Sequence, residues 1–235
     1  MLPVAILAGG FATRLWPLTE TVPKSLIEIR DRPFIDWQLK LLAQNEVKRV
    51  VICVAHKAEM IQKFVGNGSR YGIQVNYSED GPTQLGTGGA IRNALPSLGN
   101  EFMVLYGDSY LPIVYKDVEA AFYRARKPAL MTVYRNDGAY DTSNVVFSDG
   151  KLQKYSKGGQ DPAMTHIDYG LSVFDGSIFE SYPLGSQLDL SDICANLSAA
   201  DFLAGYEVHE RFYEVGSHKG IEDFSQYIER KHGVL

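Results

Sequence analysis

The chain has 235 residues, 45% hydrophobic and 22% charged, ordinary values for a water-soluble globular protein with a substantial core. With 23 Lys and Arg against 28 Asp and Glu, its net charge of −5 gives no overall attraction for nucleic acid or an anionic membrane, so any phosphate binding has to be local. Cys53 and Cys194 lie far apart, Cys53 inside an apolar run, and read as free thiols of a reducing compartment rather than a disulfide. The opening MLPVAILAGG has no basic segment ahead of its short apolar run, and no later stretch is long and apolar enough for a membrane span. A cytoplasmic chain is therefore expected.

Strands and helices alternate through the first half. Val4–Leu7 reads as a strand, Phe34–Leu42 as a helix with Pro33 at its first position, and Val50–Val54 as a strand. Ala58–Val65 is helical, Ile73–Tyr77 a strand, Gly88–Leu95 a short helix, Phe102–Leu105 a strand and Val118–Arg126 a helix. This rhythm predicts a mostly parallel sheet with helices on both faces. From Ala129 onward short strands dominate: Leu130–Tyr134, Asn144–Ser148, Leu152–Tyr155 and Tyr169–Phe174, with a hairpin turn at Ser148-Asp149-Gly150-Lys151. Helices follow around Leu190–Ala199 and Gly220–Lys231. No linker separates the halves, so one domain of two lobes is expected, about 1–128 and 129–235, with substrate in the cleft between them.

The first strand leaves through Leu7–Ser25, LAGGFATRLWPLTETVPKS. Glycines let a backbone turn sharply and approach a ligand closely, and Arg14 and Lys24 in one loop point to an anion, first of all a phosphate chain. Two better-known glycine loops do not fit. A Walker A loop needs G-x-x-x-x-G-K-[ST], whereas Lys24-Ser25 follows Pro23, which has no N–H to offer. A dinucleotide fingerprint needs G-x-G-x-x-G, and Gly9-Gly10-Phe11-Ala12-Thr13-Arg14 lacks that spacing. What remains resembles the sugar-1-phosphate nucleotidylyltransferases. Their signature runs approximately L-A-G-G-x-x-T-R-L-x-P-L-T and then P-K-P-L; here Ser25 replaces the second proline. Downstream, YGDS (Tyr106–Ser109) resembles the family's Gly-Asp pair, and Leu85-Gly86-Thr87-Gly88-Gly89-Ala90 its nucleobase loop.

The resemblance implies a set of roles. Leu7, Ala8, Gly9, Gly10, Thr13 and Arg14 would bind nucleotide, with the amides from Ala8 to Thr13 forming an anion nest. Arg14 would grip the β and γ phosphates through its fork, and Lys24 would act as a point charge near the α-phosphate. Asp108, just past a buried strand, would bind Mg²⁺ together with substrate phosphates. Gly86 and Thr87 would line the base pocket, where Glu79 could accept hydrogen bonds from a base edge. Lys157, in Tyr155-Ser156-Lys157-Gly158, would hold the sugar phosphate, though the family's flanking Glu and Pro are missing here. IDYGLSVF supplies Asp168, Tyr169 and Gly170 for the sugar. FYEVGSHKG carries Glu214 where the family has Asp, as a second Mg²⁺ ligand beside Gly216. Arg14, Lys24 and Asp108 form the implied catalytic set.

The fold implied is α/β, a mostly parallel, Rossmann-like mixed sheet with helices on both faces and a smaller β-rich sugar-binding lobe. The implied reaction joins an NTP to a sugar 1-phosphate, releasing pyrophosphate. The length and the LGTGGAI loop look most like small guanylyltransferases acting on heptose 1-phosphate. They are also similar to uridylyltransferases acting on amino-sugar 1-phosphates such as N-acetylmuramate 1-phosphate. A homodimer is a family-level expectation, and an inactive sugar-nucleotide-binding regulatory protein is the alternative of another class. The five histidines show no metal-ligand spacing.

Overall fold

Val4–Leu7 forms β1, and its two faces feed two different cores: Val4 and Ile6 pack on one side and Ala5 on the other. A strand covered on both faces belongs at the centre of a sheet. The computed structural model describes residues 1–10, 15–81, 83–158 and 161–232.

After β1 come α1 (Leu18–Thr21), β2 (Glu28–Ile29), β3 (Arg32–Pro33), α2 (Phe34–Gln44), β4 (Arg49–Val54), α3 (Ala58–Val65), β5 (Gln74–Glu79), α4 (Gly86–Leu98), β6 (Glu101–Tyr106) and β7 (Ser109–Tyr110). Then follow α5 (Tyr115–Ala125), β8 (Ala129–Arg135), β9 (Val145–Ser148), β10 (Lys151–Tyr155), β11 (His166–Asp175), α6 (Ser177–Glu180), α7 (Leu190–Ala199), β12 (Leu203–Val208), β13 (Tyr213–Glu214) and α8 (His218–His232).

β5, β4, β1 and β6 run parallel in that order. β11 joins β6 antiparallel and also pairs antiparallel with β8, and β12 lies parallel to β8. The β9–β10 hairpin attaches at the start of β11, at His166. One sheet thus runs through both halves, and the expected mixed, mostly parallel α/β architecture is present. Helices α2, α3 and α5 cover one face, and α4, α6 and α7 the other. Helix α8 buries Phe224 and Ile228 in a third cluster with Leu15, Phe34 and Tyr110. No helix among the described residues is long and apolar enough to cross a membrane.

The structure extends several elements beyond the sequence reading. Helix α4 starts at Gly86 rather than Gly88 and continues to Leu98, and α5 starts at Tyr115 rather than Val118. Strand β12 and the β7–β13 ribbon were not expected. What positions the site is the strand order. β1 lies between β4 and β6, so the loops leaving β1 and β6 part in opposite directions. A crevice opens at the carboxyl ends of the strands, where such sheets bind ligands.

Candidate active site

A cavity of about 330 Å³ occupies this crevice. Leu7, Ala8, Gly9 and Gly10 form one wall, Gly86 and Thr87 another, and Lys24 and Asp108 stand at one end. A second cavity of about 560 Å³ adjoins it and is lined by Lys157, Asp168, Gly170, Glu214 and Gly216. Thr87, Tyr106 and Asp108 line both, so the cavities meet at the Asp108 carboxylate.

Asp108 sits on the turn between β6 and β7. Lys24 reaches it from a single 3-10 turn, Lys24–Leu26, and Lys24 Nζ donates to Asp108 Oδ2 at 2.8 Å. Both side chains are half-buried, so water screens this pair only in part. The β7–β13 ribbon sets Ser109 opposite Glu214, and Val215 N–H donates to the Asp108 carbonyl at 2.9 Å. Glu214 is thereby brought near Asp108. Solvent reaches it through the cleft, yet the surrounding protein, and after that the Asp108 charge, push its carboxyl up to about 7. A Cβ on Gly216 would stand 3.5 Å from Asp108 Oδ2 and 3.9 Å from Lys24 Nζ, so a glycine keeps this corner open. Among the described residues no group of three or more His, Cys, Asp or Glu side chains gathers as a metal site. Two hard carboxylates at the junction fit Mg²⁺ when substrate phosphates and water complete its shell.

Asp168 owes its placement to a bulge in β11. Register shifts between Asp168 and Ser172, and Gly170 adopts a φ of +99° that favours glycine. Gly170 N–H donates to Asp168 Oδ1 at 2.9 Å, and Asp168 N–H to Asn144 Oδ1 at 2.9 Å. Burial pushes the Asp168 carboxyl up to about 6 against the stabilising Gly170 bond. Tyr169, the next residue on the strand, faces the other way. It is 1% exposed, packs on Phe212 and Tyr134, and does not line the cleft.

Glu79 is likewise turned from the cavity: Gln62 Nε2 donates to its Oε1 at 2.7 Å. The carboxylate in the cavity wall is its neighbour Asp80, which accepts Leu85 N–H at 3.0 Å and is raised by burial. The Ala8 amide is spent on the Cys53 carbonyl at 2.9 Å, extending the β1–β4 ladder, so Ala8 has no N–H left for a phosphate. Thr13 and Arg14 lie outside the described residues. Gly88 and Gly89 serve packing: their amides donate to the Leu188 carbonyl at 2.9 and 3.3 Å, and a Cβ on Gly89 would lie 2.3 Å from the Ser186 carbonyl oxygen.

Asp189 lines the second cavity and holds Thr87, which lines both, and the sequence reading missed it. It caps α7 by accepting Ser191 N–H, takes the Thr87 hydroxyl at 3.3 Å, and pairs with exposed Lys157 through its other oxygen. Burial works to raise its carboxyl, but Lys157 and the Ser191 donors outweigh this and hold it below the usual range. Asp-Leu-Ser-Asp is a helix-start pattern, a signal that could have marked it. Arg211 was missed as well. Its guanidinium lies 4.5 Å from the Tyr140 ring and 4.9 Å from the Tyr213 ring, and Nη2 meets Asp223 Oδ2 at 2.6 Å in the wall of the second cavity.

The D-glycero-alpha-D-manno-heptose 1-phosphate guanylyltransferase of Campylobacter jejuni is 30% identical over 188 residues, 80% of this chain and 82% of its own length. The N-acetylmuramate alpha-1-phosphate uridylyltransferase of Neisseria meningitidis is 40% identical over 121 residues, 51% of each chain. The UTP–glucose-1-phosphate uridylyltransferase of Synechocystis is 28% identical over 79% of this chain. The matches span about half the length of these last two relatives, 51% and 52%. Among solved structures, HddC from Yersinia pseudotuberculosis complexed with GMP-PN superposes with a TM-score of 0.80 at 23% identity, covering 97% of this chain and all of that one. A Bacillus anthracis chain crystallised with sucrose superposes with a TM-score of 0.85 at 19% identity, over 97% of this chain and 95% of its own. These two establish likeness of fold. The family model described as Nucleotidyl transferase matches residues 4–231, and the chain belongs to that family.

Proposed function

We propose that the chain transfers a nucleotidyl group from an NTP to a sugar 1-phosphate, releasing pyrophosphate. One observation carries this reading: two substrate-sized cavities meet at Asp108, with Lys24 Nζ 2.8 Å from its carboxylate. The first cavity takes the nucleotide, its base toward Asp80 and Thr87 and its phosphates toward Lys24. The second takes the sugar 1-phosphate, with Asp168 accepting from sugar hydroxyls and Lys157 supplying positive charge at the rim. The sugar phosphate oxygen attacks the α-phosphorus in line, a P–O bond forms, and the bond to the leaving pyrophosphate breaks. That oxygen is already ionised at neutral pH, so no general base is needed. Catalysis then rests on positioning and on charge stabilisation. Lys24 neutralises charge that grows on the α-phosphate, and Arg14, carried over from the family pattern, favours departure of pyrophosphate. Asp108 and Glu214 would hold Mg²⁺, which supplies neutralisation of phosphate charge when bound.

GTP and a manno-configured heptose 1-phosphate are the proposed pair. The Campylobacter guanylyltransferase supports it, since that match spans most of both chains. Asp80 suits a guanine edge, where N1–H and N2–H₂ both donate toward one carboxylate. The Neisseria relative favours a second reading, UTP with N-acetylmuramate 1-phosphate, through its 40% identity.

Pyrophosphate release tests both. The purified chain with Mg²⁺ and each of GTP, UTP, dTTP, CTP and ATP is offered the α-1-phosphates of manno-heptose, mannose, glucose, N-acetylglucosamine and N-acetylmuramate. Release from GTP and the heptose is expected. Release from UTP and N-acetylmuramate keeps the reaction and replaces the pair. Nucleotide binding without pyrophosphate from any pair, and without pyrophosphorolysis of the matching sugar nucleotides, refutes the transferase reading in favour of a sugar-nucleotide-binding regulator.

A further inference from the structure

Gln38 lies on α2, is 1% exposed and lines neither cavity. Its Nε2 donates to the Tyr106 carbonyl at 2.8 Å and to the Ser109 carbonyl at 2.7 Å. Those carbonyls are the two feet of the turn Tyr106-Gly107-Asp108-Ser109. One buried amide therefore ties both ends of the Asp108 turn to a helix. Only the NH₂ end can do this, because the amide oxygen would repel two carbonyls. The same helix also references Lys24: Phe34 N–H, at the start of α2, donates at 2.9 Å to the Ile27 carbonyl, directly after the Lys24–Leu26 turn.

The geometry points to Gln38 as a positioning residue for the transfer, which sets Asp108 against Lys24 through the Tyr106 and Ser109 carbonyls without touching substrate. This rests on the transferase reading. Displacement of a reacting group by about 1 Å costs on the order of 10²-fold in rate. Gln38→Leu keeps the bulk and removes both donors to the Tyr106 and Ser109 carbonyls.

The test compares Gln38→Leu, Gln38→Asn and Leu42→Ala. Leu42→Ala is a control one helical turn along α2, where a buried apolar side chain packs in the core and offers no hydrogen bond to the Tyr106 or Ser109 carbonyl. Expected for both Gln38 variants is a fall in kcat of roughly 10- to 100-fold with KM for both substrates within about threefold. Hydrogen exchange across 106–109 is expected to speed up by at least tenfold. Leu42→Ala is expected to lower Tm while leaving kcat and the exchange of that turn near wild type. Gln38→Asn retains the amide one methylene short and serves if the Leu variant does not fold. Unchanged kcat in both Gln38 variants of an active enzyme, or a kcat loss in Leu42→Ala as large as theirs, overturns the positioning role. The exchange readout does not depend on turnover: unaltered exchange at 106–109 overturns the brace whatever the reaction proves to be, and a silent wild type with faster exchange in the variants faults the reaction alone.

Discussion

Asp168→Asn separates what Asp168 costs the fold from what it does for the site. Burial raises its carboxyl from an ordinary 3.8 to about 6. The folded chain therefore holds this proton more tightly than the unfolded chain, and stability falls as pH rises from about 4 to about 6. Above that window the penalty is fully present. At ~1.4 kcal/mol per pH unit the ceiling is about 3 kcal/mol. The cleft admits water to one side of the group, so about half of that, ~1.5 kcal/mol, is the working figure. Asparagine can still accept the Gly170 N–H at its carbonyl oxygen and carries no charge to desolvate. For a chain of this size each kcal/mol moves Tm by about 2–4 °C. The variant should melt about 3–6 °C higher than wild type at pH 7, and the gain should shrink toward zero near pH 4. Glu214, also raised, titrates in both proteins and largely cancels in the comparison. Scanning calorimetry across pH reads the stability effect. Pyrophosphate release reads the cost to function: KM for the sugar 1-phosphate should rise about tenfold or more as a charged acceptor is lost. A Tm that does not rise at pH 7, or a gain independent of pH, refutes the argument from burial. An unchanged KM removes Asp168 from the sugar site.

Two further perturbations probe the junction and the wall beside it. Lys24→Met strips Asp108 of its cation and removes charge beside the reacting phosphate; turnover at saturating substrate should fall by about 10²-fold or more, and a loss below about tenfold would make Lys24 a structural counter-ion only. Gly89→Ala should lower Tm although alanine is the better helix former by about 1 kcal/mol. The added methyl would meet the Ser186 carbonyl oxygen at 2.3 Å, and overpacking of that kind costs about 1–3 kcal/mol, so an equal or higher Tm would mean that the 186–189 segment yields freely.

Which parts of the site were legible follows from where the backbone sets side-chain direction. The glycine turn, Lys24 and Asp108 sit at ends of strands or in adjoining turns, where a local run of residues dictates both conformation and exposure. Their convergence needed only the order of the first strands. Inside a strand the governing rule is alternation, and Asp168 and Tyr169 show its force. Adjacent residues face opposite sides, so the two cannot both line one cleft, and the apolar run around them places the aromatic ring in the core. Glu79 and Asp80 pose the same problem without an apolar phase to resolve it. In Tyr77-Ser78-Glu79-Asp80 nothing marks the buried face, and only the pairing of Glu79 with Val54 in β4, with its side chain turned to Gln62, decides which carboxylate reaches the cavity. The resemblance already pairs Glu214 with Asp108 as Mg²⁺ ligands, but the element that brings them together is not readable in the sequence, because β7 and β13 are two residues each and are strands only by virtue of pairing with one another. Lys157 and Thr87 lie 32 and 102 residues from Asp189 in the chain. No spacing in the chain announces that triad; it exists because the loop after β10, the start of α4 and the cap of α7 come together beside the cleft, and its consequence, that a carboxylate of the second cavity holds Thr87 in the wall of both, is legible only in the folded molecule.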